Sequence, residues 1–269
     1  MSNSIPTWTK IAAAVIALGG AAGGIYYVSR QAPMLPAKPA PIANVESPSP
    51  AAVKYPVPAA GPQNDEAAAV ALPELYDSDP SAVSALLTLF NDDAITALVK
   101  PEFLIPRIVA TIDNLPRQKI NGNALPVKPV PGSFAVDVKG NEVFIADVNA
   151  ARYDAYIAAF ANADVEQMLT LYRRWYPLFQ QAYRELGDPD VYFNDRLVEV
   201  IDHMLQAADA PPPIALVKPA SNWEYANSDL QAASIGHRLL FRIGPVHAGR
   251  VKAKLSELRA GLTDFVEPR

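Results

Sequence analysis

Residues Asp164 to Gln206 read DVEQMLTLYRRWYPLFQQAYRELG, a short break, then YFNDRLVEVIDHMLQ, the most strongly periodic and most aromatic stretch of the chain. Any domain containing it has to be built round two amphipathic helices. Asp164 is a good N-cap, and Gln167 follows three residues later, as in a capping box. Met168, Tyr172, Trp175, Phe179, Ala182 and Leu186 recur at spacings of three and four, which places them on one helix face. Gly187 can close that helix in a left-handed conformation, and Pro189 stops it resuming. Pro177 lies inside the pattern, where it removes a backbone hydrogen bond and bends the helix or divides it in two.

The second helix starts near Asn194, with Leu197, Val198, Ile201, Met204 and Leu205 as its apolar face. Asp195, Glu199, Asp202 and Gln206 fall on the opposite face. Two readings of this acidic stripe compete. One is a solvated face with carboxylates near the positive end of the helix dipole. The other is a metal or general acid/base site, with His203 four residues after Glu199.

Ahead of this domain the composition changes. Ile11 to Val28 is an uncharged run of apolar and small residues, close to the roughly 20 that span a bilayer as a helix. Trp8, Tyr26 and Tyr27 flank it where interfacial aromatics sit. A single membrane anchor is expected; a cleaved signal peptide is the alternative, although the run exceeds the usual signal core. Lys10 precedes it and Arg30, Lys38 and Lys54 follow, so loop charge is a weak guide and taken alone leans against an exported domain. By analogy with exported, tethered domains, the N-terminus is expected inside and the domain in the periplasm. Gly19, Gly20, Gly23 and Gly24 form two overlapping G-x-x-x-G registers that can pair two copies; small residues common to such segments give the same pattern. Much of the proline content then falls between Gln31 and Leu72, including Pro33, Pro36, Pro39, Pro41, Pro48, Pro50, Pro56, Pro58 and Pro62. Such composition cannot close a core and favours extended segments, as a spacer or as a ligand for another domain. No aromatic or strongly charged pattern accompanies these prolines, so a spacer is expected. The expected layout is therefore a tail over 1–10, an anchor over 11–28, a Pro/Ala-rich disordered linker over 29–72 and a helical domain over 73–265.

Within the domain, Asp79 caps a helix begun by Pro80, with Val83, Leu86, Leu87 and Phe90 inward. A short helix is expected over 94–99. Another begins at Pro101, with Phe103, Leu104, Ile108 and Ile112 inward, and ends at Asn114-Leu115-Pro116. Ser133–Val138 and Glu142–Ala146 form a hairpin across Lys139-Gly140-Asn141. A helix with Tyr153, Tyr156, Ile157 and Phe160 leads to the central pair. Ile214–Val217 is a strand or an extended segment. Ser228 caps a helix to Ile243, Gly244-Pro245 gives a stop and a start, and a last helix carries Val251, Leu255, Leu258 and Leu262. The cations Arg238, Arg242, Arg250, Lys252, Lys254 and Arg259 could face the acidic helix or a membrane surface, and most are expected to be solvated. The fold class is thus mainly α: one multi-helix domain with a small β-hairpin.

Several of these segments together resemble a bacterial family known as domain of unknown function 3014. The match is carried by Asp113-Asn114-Leu115-Pro116-Arg117, Ala151-Arg152-Tyr153, Tyr176 to Gln180 with Ala182-Tyr183, Tyr192 to His203, and Gly244-Pro245 with Arg250-Val251-Lys252. It covers nearly all of the folded part and excludes the anchor and linker. The resemblance implies a Gram-negative, membrane-tethered protein and carries over no catalytic residue.

The chain has no cysteine, which excludes disulfides, thiolate catalysis and Cys-based zinc sites. Its net charge of −5 argues against general nucleic-acid binding. No nucleophile elbow, zincin, P-loop or dinucleotide motif occurs, so neither cofactor nor metal is expected. His203, His237 and His247 are scattered. The junction Tyr192-Phe193-Asn194-Asp195-Arg196 is the most interesting: Tyr192 and Phe193 could wall a pocket, Asn194 could cap the helix, and Arg196 could pair with Asp113 or Glu199. With Asp113 and Arg117 it forms a candidate binding cluster, or a lock for a corner of the fold. The expected function is a non-catalytic scaffold or interaction module of the inner membrane, partnered by another envelope protein. The alternative is an envelope hydrolase using Asp195, Glu199 and His203.

Overall fold

A computed structural model describes residues 52–58, 71–90, 97–120, 122–187, 191–220 and 222–265. The anchor 11–28 with its glycines, most of the linker and the expected helix start at Ala94 lie outside the described residues. In chain order the helices are α1 (Asp79–Phe90), α2 (Leu104–Asn114), α3 (Val148–Ala151), α4 (Asp154–Ala161), α5 (Val165–Glu185), α6 (Phe193–Leu205), α7 (Ser228–Ala232), α8 (Ile235–Ile243) and α9 (Pro245–Thr263). The strands are β1 (Val136–Lys139), β2 (Glu142–Ile145), β3 (Ala215–Val217) and β4 (Glu224–Tyr225). Among the described residues no helix is long and apolar enough to cross a membrane.

The Asp164 carboxylate accepts the Gln167 N–H at 2.9 Å and starts α5. Its partner in the expected capping box does not reciprocate: among the described residues, Gln167 Oε1 is buried and without a hydrogen-bond partner. Pro177 does not divide α5. Its ring lies on the exposed side, where the lost bond faces solvent. Met168, Tyr172, Trp175 and Ala182 are buried as their spacing predicts, with Leu169 and Leu178 beside them. Leu186 falls outside the core, half exposed beyond the last turn.

Helix α9 buries Val251, Leu255, Leu258 and Leu262 against α4, α5, α6 and α8. Helix α2 packs on α5 and α6, and α1 closes the layer over α2. The buried stripe of α1 is Ala82, Leu86 and Leu89, rotated from the expected one, with Val83 only partly covered. Asp79 does not cap its own helix. It opens α1, and its carboxylate accepts the Phe103 and Leu104 N–H groups at the start of α2. A cavity of about 150 Å³, lined almost wholly by apolar side chains such as Ala82, Ile108 and Met204, remains between α1, α2, α5, α6 and α9.

The expected hairpin is present, but as two strands of four. The sheet runs β1-β2-β3-β4, antiparallel throughout, with Val143 opposite Leu216 and Leu216 opposite Tyr225. Ile214, Leu216, Tyr225 and Phe241 form a second, smaller core under it. The helix expected from Ser228 to Ile243 is broken. Asn227 caps α7, and Ser234 caps α8 by accepting the His237 N–H at 3.2 Å. Gly244, at φ +82°, joins α8 to α9 with Pro245 at the first position, a backbone angle that glycine adopts without cost.

The cations of the last two helices are mostly engaged. Lys254 is buried and donates to the Ala163 carbonyl and to Glu257. Lys252 donates to the Ala207 carbonyl, and the Arg242 guanidinium lies 4.7 Å from the Phe134 ring centre. Arg259 pairs with Asp202, so one of these cations does face the acidic helix.

Candidate functional site

The junction between α5 and α6 is set by Gln180, buried on the inner side of α5. Its Oε1 accepts the Phe193 N–H at 2.8 Å and the Tyr176 hydroxyl at 3.0 Å, and its Nε2 donates to the Val191 carbonyl at 2.9 Å. These bonds satisfy an orphan amide of the first turn of α6. They also fix the direction in which Asn194 and Asp195 leave that turn.

Asn194 is not a cap. It lies inside α6, fully buried. Its Oδ1 accepts the Tyr172 hydroxyl at 3.1 Å, and its Nδ2 donates to the Leu262 carbonyl at 3.2 Å and the Tyr55 carbonyl at 2.9 Å. One amide thus joins α5, α6, the end of α9 and the linker. Asp195 completes the contact: its carboxylate accepts the Lys54 N–H at 2.9 Å and the Tyr55 N–H at 2.8 Å. A carboxylate in the first turn of a helix is favoured by the dipole, and two successive main-chain N–H groups form a concave anion seat. The Tyr55 and Val57 side chains pack on the main core. The Arg259 guanidinium, held by Asp202, lies beside the Tyr55 side chain. Part of the stretch expected as an unattached linker is therefore fixed to the domain by its own backbone.

An aromatic wall backs this corner. Phe193 stacks on Phe179 at 5.8 Å and meets Tyr183 at 5.5 Å, and Tyr172 stacks on Phe265 at 6.5 Å. Tyr192 stands just before α6, half buried. Burial pushes the Tyr172 phenol well above its ordinary value, helped by Tyr176 and Asp195. Burial likewise pushes Tyr176 to about 12. Both phenols stay protonated at ordinary pH and act as donors.

A second cluster lies on the outer side of α6. The Arg196 guanidinium donates to the Asp113 carboxylate at 2.9 Å, the Asp113 carbonyl at 3.0 Å and Glu199 at 3.1 Å. Arg117 reaches the same Asp113 carboxylate at 2.9 Å. Burial opposes the Arg196 charge, but the Glu199 and Asp113 carboxylates outweigh it and hold its pKa above the ordinary arginine value. The Arg117 and Leu115 carbonyls accept the first two N–H groups of α8. This network joins α2, α6 and α8 and locks the corner.

His203 and His237, separated in sequence, come together. Their rings stack at 4.1 Å, the His237 Nε2 donates to the His203 carbonyl, and the His203 Nε2 meets the Ser234 hydroxyl at 2.7 Å. Burial lowers the His203 pKa, and His237 and Arg196 lower it further. His247 lies elsewhere, between the Ile243 carbonyl and Asp154.

Asp195, Glu199 and His203 do not converge. Four residues along a helix advance about 6 Å, so the outer two stand about 12 Å apart along α6. Asp195 holds main chain, Glu199 is exposed beside Arg196, and His203 faces Ser234. Among the described residues no group of three or more His, Asp or Glu side chains is placed to hold a metal ion. Sequence reasoning missed the roles of Gln180 and Tyr172 and the docked Lys54-Tyr55. A polar Gln180 between Phe179 and Ala182 was one available signal. Tyr55, the only aromatic residue between 29 and 72, was another.

Fold and corner together define a mainly helical domain with a small antiparallel sheet, fastened at one end by buried amide and carboxylate groups. Residues 104–259 match the family described as protein of unknown function (DUF3014), and the chain belongs to that family. No curated protein and no solved structure matches it.

Proposed function

We propose that this is a membrane-tethered envelope protein of a Gram-negative bacterium, whose helical domain is a scaffold or protein-interaction module. Residues 11–28 hold it in the inner membrane, with the domain on the periplasmic side. Gly19, Gly20, Gly23 and Gly24 give that anchor a surface on which two copies can pair. The observation that carries the interaction reading is the corner itself: Asn194 and Asp195 direct their hydrogen-bonding groups at the main chain of another segment. The hydrolase alternative needs Asp195, Glu199 and His203 to meet at one reacting atom, and their separate partners favour interaction over catalysis.

Four measurements test this. Carbonate washing and protease protection of membranes report tethering and sidedness; release of a shortened protein would remove the anchor. A photo-crosslinking residue at position 199, exposed beside the corner, is expected to trap one defined envelope protein in cells. Hydrolysis of cell-wall or ester substrates by the purified protein, lost in Glu199→Gln, would overturn the interaction reading.

A further inference from the structure

Residues 52–58 meet the domain as a ligand would. Nothing in them is fully buried: Lys54 is exposed, and Tyr55, Val57 and Pro58 are half covered. Yet Lys54 and Tyr55 place both their N–H groups on Asp195, and the Tyr55 carbonyl takes the one Asn194 donor aimed out of the helical body toward the linker. We infer that this corner is a receptor for peptide main chain bent at two successive residues, and that Val53–Val57 is a resident occupant which a partner peptide of the same chemistry displaces. The inference rests on the interaction reading above and names the class of partner.

That chemistry has three parts. Two successive main-chain N–H groups are needed to fill the Asp195 carboxylate. An aromatic side chain on the second residue lies by Arg259 and reaches the core. A following proline, as at Pro56, brings no N–H of its own to satisfy. Recognition through main chain tolerates other side chains at most positions. The occupant joins the domain through residues 59–70, so a competitor faces an effective concentration in the millimolar range and not a covalent block.

The test uses the full chain and a fluorescent peptide of residues 52–58, Ala-Val-Lys-Tyr-Pro-Val-Pro. The wild-type protein is expected to bind it weakly. The Tyr55→Ala protein, with its own occupant loosened, is expected to bind it about tenfold more tightly or better. Adding Asp195→Ala to that variant should abolish the gain. A second peptide with proline in place of the lysine lacks one of the two donors and should fail on the Tyr55→Ala protein, a comparison that leaves the protein unaltered. Equal binding to wild-type and Tyr55→Ala proteins, or equal binding of the two peptides, overturns the inference. A specific crosslink from position 199 without peptide binding would leave the interaction reading standing and remove this one.

Discussion

Asn194 has both ends of its amide committed, so replacing it strands several groups at once. Asn194→Ala leaves the Tyr172 hydroxyl and the Leu262 carbonyl buried without partners, and is expected to cost about 2 kcal/mol in urea denaturation. Tyr172→Phe removes one hydroxyl and should cost about 1 kcal/mol. His203 gives the fold a pH dependence. Its folded pKa is depressed, so the unfolded chain binds the proton better. Stability from this group is present above the ordinary histidine value near 6.5 and is lost as pH falls through the folded value. Urea midpoints should drop between pH 7.5 and 5.5, and His203→Gln should flatten the slope. The Arg196 pairs were readable from charge alone, because Asp113 and Glu199 were its evident partners. The role of Asn194 was not, because a polar residue at a helix start reads as a cap, and only the fold shows the backbone it meets inside.

At the scale of elements, the central helices were legible because their periodicity and caps agree. The break between α7 and α8 was not, although Ser234 three residues before His237 has the spacing of a cap. Strands β3 and β4 are too short for alternation to show, and long-range pairing supplies what the local pattern lacks. Two glycines separate packing from propensity. A Cβ at Gly236 would overlap the Met204 sulfur and lie 3.1 Å from the Leu115 carbonyl oxygen, since α8 crosses α6 and the end of α2 closely there. Gly236→Ala is expected to cost about 1–2 kcal/mol, as overpacking does. A Cβ at Gly249, on α9, meets nothing within 4 Å. Gly249→Ala should therefore stabilise by about 0.5–1 kcal/mol through helix propensity alone. Thermal or urea unfolding of the pair checks both signs.

At the scale of the whole molecule, the described residues form two cores of unequal size. The larger joins α1, α2, α4, α5, α6, α8 and α9, and the smaller holds the sheet against Phe241 and its neighbours. Fewer buried contacts mean easier local opening. Amides of β2 and β3 are expected to exchange with deuterium well before those in the middle of α5, α6 and α9; uniform exchange across both would count against two separable layers. The helical body was legible from sequence because apolar spacing declares it. The docked piece of linker was not, because proline-rich composition predicts no core and its attachment is made by backbone atoms common to every sequence. That attachment also alters the geometry of any leash between lipid and domain. For the anchor proposed at residues 11–28, the docked contact leaves residues 29–51 between anchor and domain, a contour length of at most about 80 Å, against at most about 150 Å for residues 29–70. On the tethered reading proposed above, the contacts of Lys54 and Tyr55 with Asn194 and Asp195 would set how far the domain can reach from the lipid.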